Sequence, residues 1–251
     1  MNWPAPRGQR FRPLRPRRIA IAFAVAAAIV ALAASAFAGD TFEALRQAMV
    51  EQQVRQRGVT QPEVLAAMAQ VPRHMFVPGA LRSQAYSDQP LVVGQGRTVY
   101  TPYVVALMTS LLDLDRGDKV LEVGTGTGYH AAILSRIARE VYSIEIDSSA
   151  ASQASKRLSG LGYPNVFVRH GDGYQGWIEE APFDAILLSV APPRVPKPLI
   201  DQLRVGGKMV VPVGGFFQDL LVITKTADGL EKRTVIPVRV APMAGKVRDG
   251  E

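Results

Sequence analysis

The amino-acid sequence predicts an α/β protein with a doubly wound, mostly parallel sheet of seven strands. From Lys119 onward, short apolar runs alternate with segments of helical spacing, as in parallel α/β sheets. A glycine-rich turn follows the first of these runs, where a strand passes into a helix. The last two runs flank Ala227-Asp228-Gly229, a hairpin sequence, so the sheet is expected to end in antiparallel strands. With 251 residues, 47% of them hydrophobic, the chain can bury such a core.

The first 38 residues differ in composition from the rest of the chain. They contain six arginines and no acidic residue, and the uncharged run from Ile19 to Ala38 is about long enough to cross a bilayer. Small residues at Ala36 and Ala38 favour a secretory signal cleaved before Gly39, and the length of the run leaves an uncleaved inner-membrane anchor open. Both would place the domain that follows in the periplasm. A misassigned start upstream of a cytoplasmic protein is the alternative.

Charge and composition exclude several classes of partner. The net charge is +7, but the arginines of the first segment carry six of these charges, so the remainder is close to neutral and we expect no nucleic-acid partner. The chain has no cysteine, which excludes disulfides and thiolate metal sites. His74, His130 and His170 lack metal-ligand spacing, so we expect no metal.

Three helices are predicted before the sheet. Apolar residues recur at helical spacing from Thr41 to Arg57, and Gly58 ends the pattern. A second helix is predicted from Gln61 to Ala69 and a third from Thr101 to Leu114, each with a proline near its start. The segment 71–91 between them is rich in proline and is predicted to be irregular.

Seven apolar runs supply the predicted strands. The candidates are Lys119–Val123, Glu140–Glu145, Val166–His170, Phe183–Ser189, Gly207–Val213, Asp219–Thr226 and Glu231–Arg239.

The turn after the first strand indicates a ligand that the backbone approaches closely. Its glycines follow the pattern Gly124-x-Gly126-x-Gly128 within Val120 to Leu134. Dinucleotide-binding turns follow G-x-G-x-x-G, and phosphate loops carry a lysine, so this spacing argues against NAD and ATP.

Acidic residues end the next two strands. Glu145, with Asp147 shortly after it, can accept hydrogen bonds from ribose hydroxyls. Asp172, followed by Gly173, can accept one from an adenine amino group. An acidic strand end alone is usually a loop residue or a helix cap, but this ordered set describes an adenosine with a non-phosphate tail. The sequence therefore predicts S-adenosylmethionine as the ligand.

Successive motifs of the chain resemble the protein-L-isoaspartate O-methyltransferase family. They are VPRHMFVP, GQGRTVYTPYVVALM, VLEVGTGTGYHAAIL, VYSIE, RHGDGYQGW, APFDAILLSVAPP and VGGKMVVPVG, and the similarity runs from Phe42 to Met243. The resemblance implies a class I, Rossmann-like methyltransferase fold with S-adenosyl-L-methionine as methyl donor and no metal. It also implies methylation of the free α-carboxyl of isoaspartyl residues in damaged proteins, a repair reaction.

The resemblance carries cofactor-binding residues over by position. They are Glu122, Gly124, Thr125, Gly126, Gly128, Glu145, Asp172 and Gly173. The catalytic candidates follow from the reaction, which needs groups that position the carboxylate: Thr98 and Tyr100 in the loop before the third helix, and Ser189 at the end of the fourth strand.

One of these positions departs from the family. The family loop reads G-Q-T-I-S-x-P, and here GRTVYTP places Tyr100 where the serine stands. A phenol can donate a hydrogen bond as serine does, but its size takes up substrate space. Two alternatives to isoaspartyl repair therefore stay open: a different carboxylate or small-molecule substrate, and a cofactor-binding module without this activity.

The expected domain organisation follows from these motifs. Residues 1–38 form the signal or anchor, and residues 39–251 form the methyltransferase domain. Within that domain, 39–118 are the helical, substrate-side part and 119–251 the cofactor-binding sheet. We expect a monomer that acts on damaged proteins and meets the membrane only through residues 19–38.

Overall fold

The computed structural model describes residues 41–94 and 96–248. The chain divides into two units, Met1–Glu43 and Ala44–Glu251, and the described part of the first unit, residues 41–43, is helical. The predicted signal or anchor lies outside the described residues. Within the described ranges, no helix combines the length and apolar character that a membrane crossing requires.

The three predicted helices precede the sheet, and two 3-10 turns, Arg73–Phe76 and Gly79–Gln84, lie between the second and the third. Residues 41–49 form α1, which continues through a π turn at Val50–Val54 and a 3-10 turn at Arg55–Arg57. Gly58, with φ +95°, ends this segment in the left-handed conformation that glycine adopts readily. Helix α2 spans Pro62–Gln70 and α3 spans Pro102–Leu112.

A two-stranded hairpin lies in the region before α3. Strands β1, Leu91–Gly94, and β2, Arg97–Val99, pair antiparallel. The sequence did not predict them, because strands of four and three residues are too short to show an alternating pattern.

The main sheet has the seven strands that were predicted; most bounds match within two residues, and β7 begins four residues before the predicted start at Gly207. They are β3 Lys119–Val123, β4 Glu140–Glu145, β5 Val166–His170, β6 Phe183–Leu188, β7 Leu203–Gly214, β8 Gln218–Thr226 and β9 Gly229–Val238. Their order is β5-β4-β3-β6-β7-β8-β9, and the first five are parallel. Strand β8 runs antiparallel to both neighbours, which confirms the antiparallel pairing at the C-terminal end.

The helices between the strands explain why the central strands are mainly apolar. They are α4 Tyr129–Leu134, α5 Ser148–Gly160 and α6 Lys197–Gln202. Leu121 on β3 and Ile186 on β6 are fully buried, as expected for strands covered on both faces. Strand β9, at the sheet edge, instead exposes charged residues from Glu231 to Arg233, which discourage pairing with another edge.

The strand order places a crevice beside β3. Chain connections leave β3 for β4 on one side, and β6 lies on the other, so the order reverses at this strand. Open α/β sheets bind ligands at the carboxyl ends of the strands at such a reversal.

After β9, residues 240–247, here called the C-terminal strap, return across the carboxyl ends of the strands. Ala191, just after β6, donates a backbone hydrogen bond to Ala241 at 2.8 Å and accepts one from Met243 at 2.7 Å. Further along, the Lys246 N–H donates to the Asp172 carboxylate at 2.8 Å. The strap is thus tied both to the end of β6 and to the turn after β5.

Candidate active site

A cavity of about 440 Å³ opens at the carboxyl ends of β3, β4 and β6. Three backbone segments form most of its wall: the glycine turn 123–127, the loop 96–100, and strap residues 241–244. Predicted positions that line it are Thr98, Tyr100, Gly124, Thr125, Gly126, Glu145, Gly173 and Ser189. The structure therefore brings most of the predicted site residues together at this one cavity.

The three glycines of the turn have different surroundings. A Cβ on Gly124 would lie 3.1 Å from Val190 Cγ1, and one on Gly128 would lie 3.0 Å from Leu158 Cδ1, so both allow close packing. Gly126, with φ +55°, borders the cavity and has no atom within 4 Å of its Cβ position. Its missing side chain leaves open space where a ligand can approach the backbone.

Glu145 presents its carboxylate at the wall of the cavity. One oxygen accepts the Gly126 N–H at 2.8 Å and the other accepts the Asp147 N–H at 3.1 Å. Each carboxylate oxygen has a second lone-pair position, so Glu145 can still accept hydrogen bonds from two neighbouring hydroxyls. The side chain is both fixed in place and able to bind a diol.

Glu122 lies beneath the cavity and is completely buried. The Ser143 hydroxyl donates to its carboxylate at 2.5 Å, and the Ser143 and Thr125 hydroxyls are 2.6 Å apart. Burial raises the pKa of Glu122 to about 8, and the nearby negative charge of Glu145 acts in the same direction. The Ser143 and Thr125 hydroxyls therefore link Glu122 to the cavity wall, which Thr125 lines.

Asp172 lies behind the wall and contacts the strap. Its carboxylate accepts the Tyr174 N–H at 3.0 Å and the Lys246 N–H at 2.8 Å. Gly173, the next residue, lines the cavity, and a Cβ there would lie only 2.3 Å from Val123 Cγ1. Gly128 and Glu122 likewise do not line the cavity. Three predicted cofactor-binding residues, Asp172, Gly128 and Glu122, therefore lie behind the wall.

Tyr100 uses its hydroxyl to join two parts of the wall. The hydroxyl donates to the Ser189 carbonyl at 2.7 Å and accepts the Ala241 N–H at 3.2 Å. Burial raises the pKa of Tyr100, so the phenol stays protonated and keeps this donor role at neutral pH. From below, the buried Arg73 guanidinium donates to the Tyr100 carbonyl at 2.5 Å.

Ser189 lines the cavity. Its Oγ is buried, and the Ser189 hydroxyl is one of the groups that act to lower the pKa of Glu122. The Ser189 carbonyl is the group that Tyr100 binds. Of the three catalytic candidates, Thr98 and Ser189 line the cavity with no side-chain hydrogen bond to another wall segment in the described part of the chain, whereas the Tyr100 hydroxyl has two.

His130 and Arg97 line the cavity but were not predicted to do so. The Thr109 hydroxyl donates to the Val105 carbonyl, so at 3.0 Å from His130 Nε2 it must accept, and Nε2 carries the hydrogen. Burial lowers the pKa of His130 to about 3, which keeps the ring neutral. His130 lies two residues after Gly128. This nearness to the glycine turn was the signal in the sequence that could have placed His130 at the cavity.

The strap was also missed as part of the site. Ala241, Pro242, Met243 and Ala244 line the cavity through small or apolar groups, which carry no chemical signature in a sequence. No cluster of three or more metal-ligating side chains occurs in the part of the chain that the structure describes.

Comparisons with known proteins agree with this architecture. The family model described as protein-L-isoaspartate(D-aspartate) O-methyltransferase matches residues 44–248. A protein-L-isoaspartate O-methyltransferase of Picosynechococcus sp. is 53% identical over 209 residues, which are 83% of this chain and 94% of the relative. One from Gloeobacter violaceus is 49% identical over 197 residues, 78% of this chain and 96% of the relative.

Two solved structures are similar in fold. A protein-L-isoaspartate O-methyltransferase superposes with a TM-score of 0.75 at 29% identity, covering 80% of this chain and 67% of that one. A Plasmodium falciparum protein assigned to the same enzyme class, in complex with S-adenosyl-L-homocysteine, gives a TM-score of 0.68 at 23% identity. It covers 79% of this chain and 98% of its own. The family match, the curated relatives and the cavity lead to one conclusion: the chain belongs to the protein-L-isoaspartate O-methyltransferase family.

Proposed function

We propose that this protein transfers the methyl group of S-adenosyl-L-methionine to the free carboxyl of L-isoaspartyl residues in damaged proteins. Membership of the family supports the reaction. The single structural observation that carries it is the Glu145 carboxylate held against the Gly126 N–H at the wall of a cavity of nucleoside size.

The residues of the cavity suit the cofactor. Gly126 leaves room for close approach, and Glu145 keeps acceptor positions for the two ribose hydroxyls. We propose that Gly124 and Thr125 contact the methionine part and that Gly173, with Asp172 behind it, borders the adenine. Glu122 and Gly128 support the turn from outside the wall.

The proposed reaction is a single displacement. S-adenosylmethionine supplies a methyl group on a sulfonium; the carboxylate oxygen forms a bond to that carbon as the carbon–sulfur bond breaks. Methyl ester and S-adenosylhomocysteine are the products, and no proton moves. The protein therefore has to align the carboxylate and exclude water rather than supply an acid or a base.

We propose that Thr98 contacts the substrate carboxylate and that Tyr100 acts as a positioning residue. The Tyr100 hydroxyl already bonds the Ser189 carbonyl and the Ala241 N–H, so it holds the wall in place. The bulk of the same ring favours a second candidate function, methylation of a smaller carboxylate than an isoaspartyl peptide.

The proposal is tested by a methanol-release assay on an isoaspartyl peptide and on a control peptide of the same sequence with a normal aspartyl residue. We expect turnover of the isoaspartyl peptide alone. Equal turnover of both would remove the repair specificity, and binding of S-adenosylhomocysteine without turnover of either would favour the smaller substrate or a binding module.

We also propose that residues 1–38 export or anchor the domain. The basic start and the apolar run that follows support this, and the family match begins only at residue 44. Fractionation of cells expressing the full chain tests it: recovery of the intact, uncleaved protein in the cytoplasmic fraction contradicts both export and anchoring.

A further inference from the structure

We propose that Phe216 and Phe217 form a docking surface for the peptide chain of the methylated protein. This surface selects substrates that carry an apolar side chain a few residues from the isoaspartyl residue. The inference rests on the proposed function, because it concerns the peptide that is methylated. It adds a determinant of substrate choice that lies outside the cavity.

The two phenylalanines lie at the tip of the hairpin between β7 and β8. Gly214 and Gln218 are the last paired residues of these strands, so residues 215–217, here called the aromatic turn, form the loop. Phe216 is 83% exposed and Phe217 is 86% exposed. Their ring centroids are 5.0 Å apart, edge to face at 86°. Single exposed apolar side chains are common on protein surfaces, but two adjacent exposed rings form the kind of patch that marks a binding site.

The base of the aromatic turn is held in place. Gly214 has φ +135°, and a Cβ there would lie only 2.1 Å from the Phe217 carbonyl oxygen, so the turn closes tightly at glycine. On the other strand, the buried Gln218 amide donates to the Val240 carbonyl at 3.1 Å and accepts the Val240 N–H at 2.8 Å. Because the base is already ordered, little backbone freedom has to be lost there when a partner binds.

The attachments of the aromatic turn lie next to the cavity wall. The Gly214 N–H donates to the Pro192 carbonyl at 3.0 Å, and Val190, two residues before Pro192, lines the cavity. Val240, which Gln218 holds, directly precedes the wall residue Ala241. The turn is thus joined on both sides to segments that continue into the wall.

The strand order puts the aromatic turn on the side of the cavity away from Glu145. Strands β4, β3, β6 and β7 are neighbours in this order; Glu145 ends β4, and the turn follows β7. With strands about 4.8 Å apart, roughly 14 Å separates these two strand ends. Since Glu145 is the proposed ribose-binding residue, the β4 side belongs to the cofactor and the β7 side is left for the other reactant.

Strand β7 also raises the aromatic turn above the neighbouring strand. Leu187 pairs with Val210, and β6 ends at Leu188, while β7 continues to Gly214. The end of β7 therefore extends roughly 10 Å past the end of β6 along the strand direction. The cavity opens at the same edge of the sheet, so the two rings are presented beside its mouth.

An extended peptide has the length and the chemistry to join the two places. It advances about 3.3 Å per residue, so a side chain two to four residues from the isoaspartyl residue lies roughly 7–13 Å from it. This distance covers one or two strand spacings, as from the end of β6 to the end of β7. The rings offer an apolar surface, so the matching group is a side chain such as leucine or phenylalanine.

The experiment compares isoaspartyl peptides of one length that differ only by Leu or Ser at a position two, three or four residues before or after the isoaspartyl residue. We expect at least one Leu position to lower KM roughly five- to twenty-fold, as partial burial of one large apolar side chain predicts. The contact is remote from the reacting atoms, so kcat should be unchanged. Salt does not screen an apolar contact, so the preference should persist at high salt.

Variants of the full-length protein assign the preference to the aromatic turn. In the double variant Phe216→Ser/Phe217→Ser the preference should fall to about one, while the Kd of S-adenosylhomocysteine and the melting temperature stay unchanged, because both rings are exposed. Val205→Ser is the matched control, since Val205 is 59% exposed near the start of β7, at the opposite edge of the sheet. Arg239→Gln removes the guanidinium 6.0 Å from the centroid of the Phe216 ring. Both of these variants should keep the preference.

Several outcomes overturn the inference. Equal KM for every Leu and Ser pair means that the turn does not select apolar substrates. A preference that survives in the double variant is caused by other residues. A preference that disappears at high salt or in Arg239→Gln depends on charge rather than on the two rings.

Binding measurements separate the inference from the proposed function. Fluorescence anisotropy of labelled peptides, with the protein saturated with S-adenosylhomocysteine, reports docking without turnover. If no peptide is methylated but the Leu peptide binds more tightly and loses this advantage in the double variant, the docking surface stands and the proposed function fails. If peptides are methylated and neither measurement shows a preference, the docking surface fails alone.

A lipid surface is the other partner that exposed aromatic rings fit. Cosedimentation with phosphatidylcholine vesicles compares the unaltered full-length protein with the double variant. Weaker vesicle binding of the double variant, with an unchanged peptide preference, assigns the rings to lipid and overturns the inference. Equal vesicle binding, with loss of the peptide preference, supports it.

Discussion

At the scale of single residues, the buried Glu122 makes stability depend on pH in an unusual direction. Its pKa rises from 4.5 to about 8 on burial, so between these values the folded state binds more protons than the unfolded state. The free energy of unfolding then falls as pH rises, by up to about 1.4 kcal/mol per pH unit from this group. In Glu122→Gln the decline between pH 5 and 8 should flatten, as measured by urea unfolding at several pH values. An unchanged slope would show that Glu122 is not the group responsible.

Glu145 is the residue on which cofactor affinity should depend most. Glu145→Gln keeps the shape but replaces a charged acceptor with an amide, and hydrogen bonds to charged groups contribute about 1.5–3 kcal/mol. We expect the Kd of S-adenosylhomocysteine, measured by calorimetry, to rise roughly 10- to 100-fold. Glu140→Gln, at the opposite end of β4, is the matched control and should bind as the unaltered protein does. If both variants bind S-adenosylhomocysteine with equal affinity, Glu145 does not contribute to cofactor binding.

At the scale of elements, Gly128 sets the distance between the glycine turn and α5. It has φ +86°, and a Cβ would meet Leu158 at 3.0 Å. Gly128→Ala should therefore lower stability by about 1–3 kcal/mol through backbone strain and the close contact. Gly128→Ala is compared in the unaltered protein and in a Leu158→Ala background, because Leu158→Ala lowers stability by itself. If the close contact is the cause, Gly128→Ala should lower the melting temperature less in that background, and if backbone strain is the cause, it should lower it equally in both. Full stability of Gly128→Ala would contradict the close approach.

The bridge from Tyr100 joins the end of β6 to the strap. Tyr100→Phe removes both hydrogen bonds and keeps the ring, so we expect kcat to fall about ten-fold, with cofactor affinity little changed. Tyr100→Ser removes the ring as well and opens substrate space. If Tyr100→Ser gains isoaspartyl activity over the unaltered protein, the ring blocks the peptide, and the smaller-substrate function is favoured. Loss in both variants supports the positioning role.

At the scale of the whole molecule, almost all of the sheet could be predicted from the sequence. Each of β3 to β6 is a short, mainly apolar or β-branched run bounded by polar or turn residues, so these strands were predicted within a residue or so of their observed bounds. The glycine turn and Glu145 were predicted as site elements because strand ends are local features of a sequence. Their meeting at one cavity follows from the strand order.

The features that could not be predicted from the sequence depend on contacts between segments that are distant along the chain. The second partner of the Tyr100 hydroxyl, the Ala241 N–H, is a backbone group and has no side-chain signal. The same holds for Lys246, whose N–H rather than its amine binds Asp172. The hairpin β1–β2 is too short to show a period. Backbone-mediated contacts and short strands are therefore the parts that required the structure.

The strap has a consequence for the turnover rate of the enzyme. Because it lines the cavity and is tied through the Lys246 N–H to Asp172, we expect spent cofactor to leave when that hydrogen bond breaks. Opening of such segments commonly takes longer than the bond-making step. We expect a rapid first turnover followed by a slower steady state in quenched-flow measurements, with the slow phase sensitive to solvent viscosity. A linear time course from the start would mean that the strap imposes no delay.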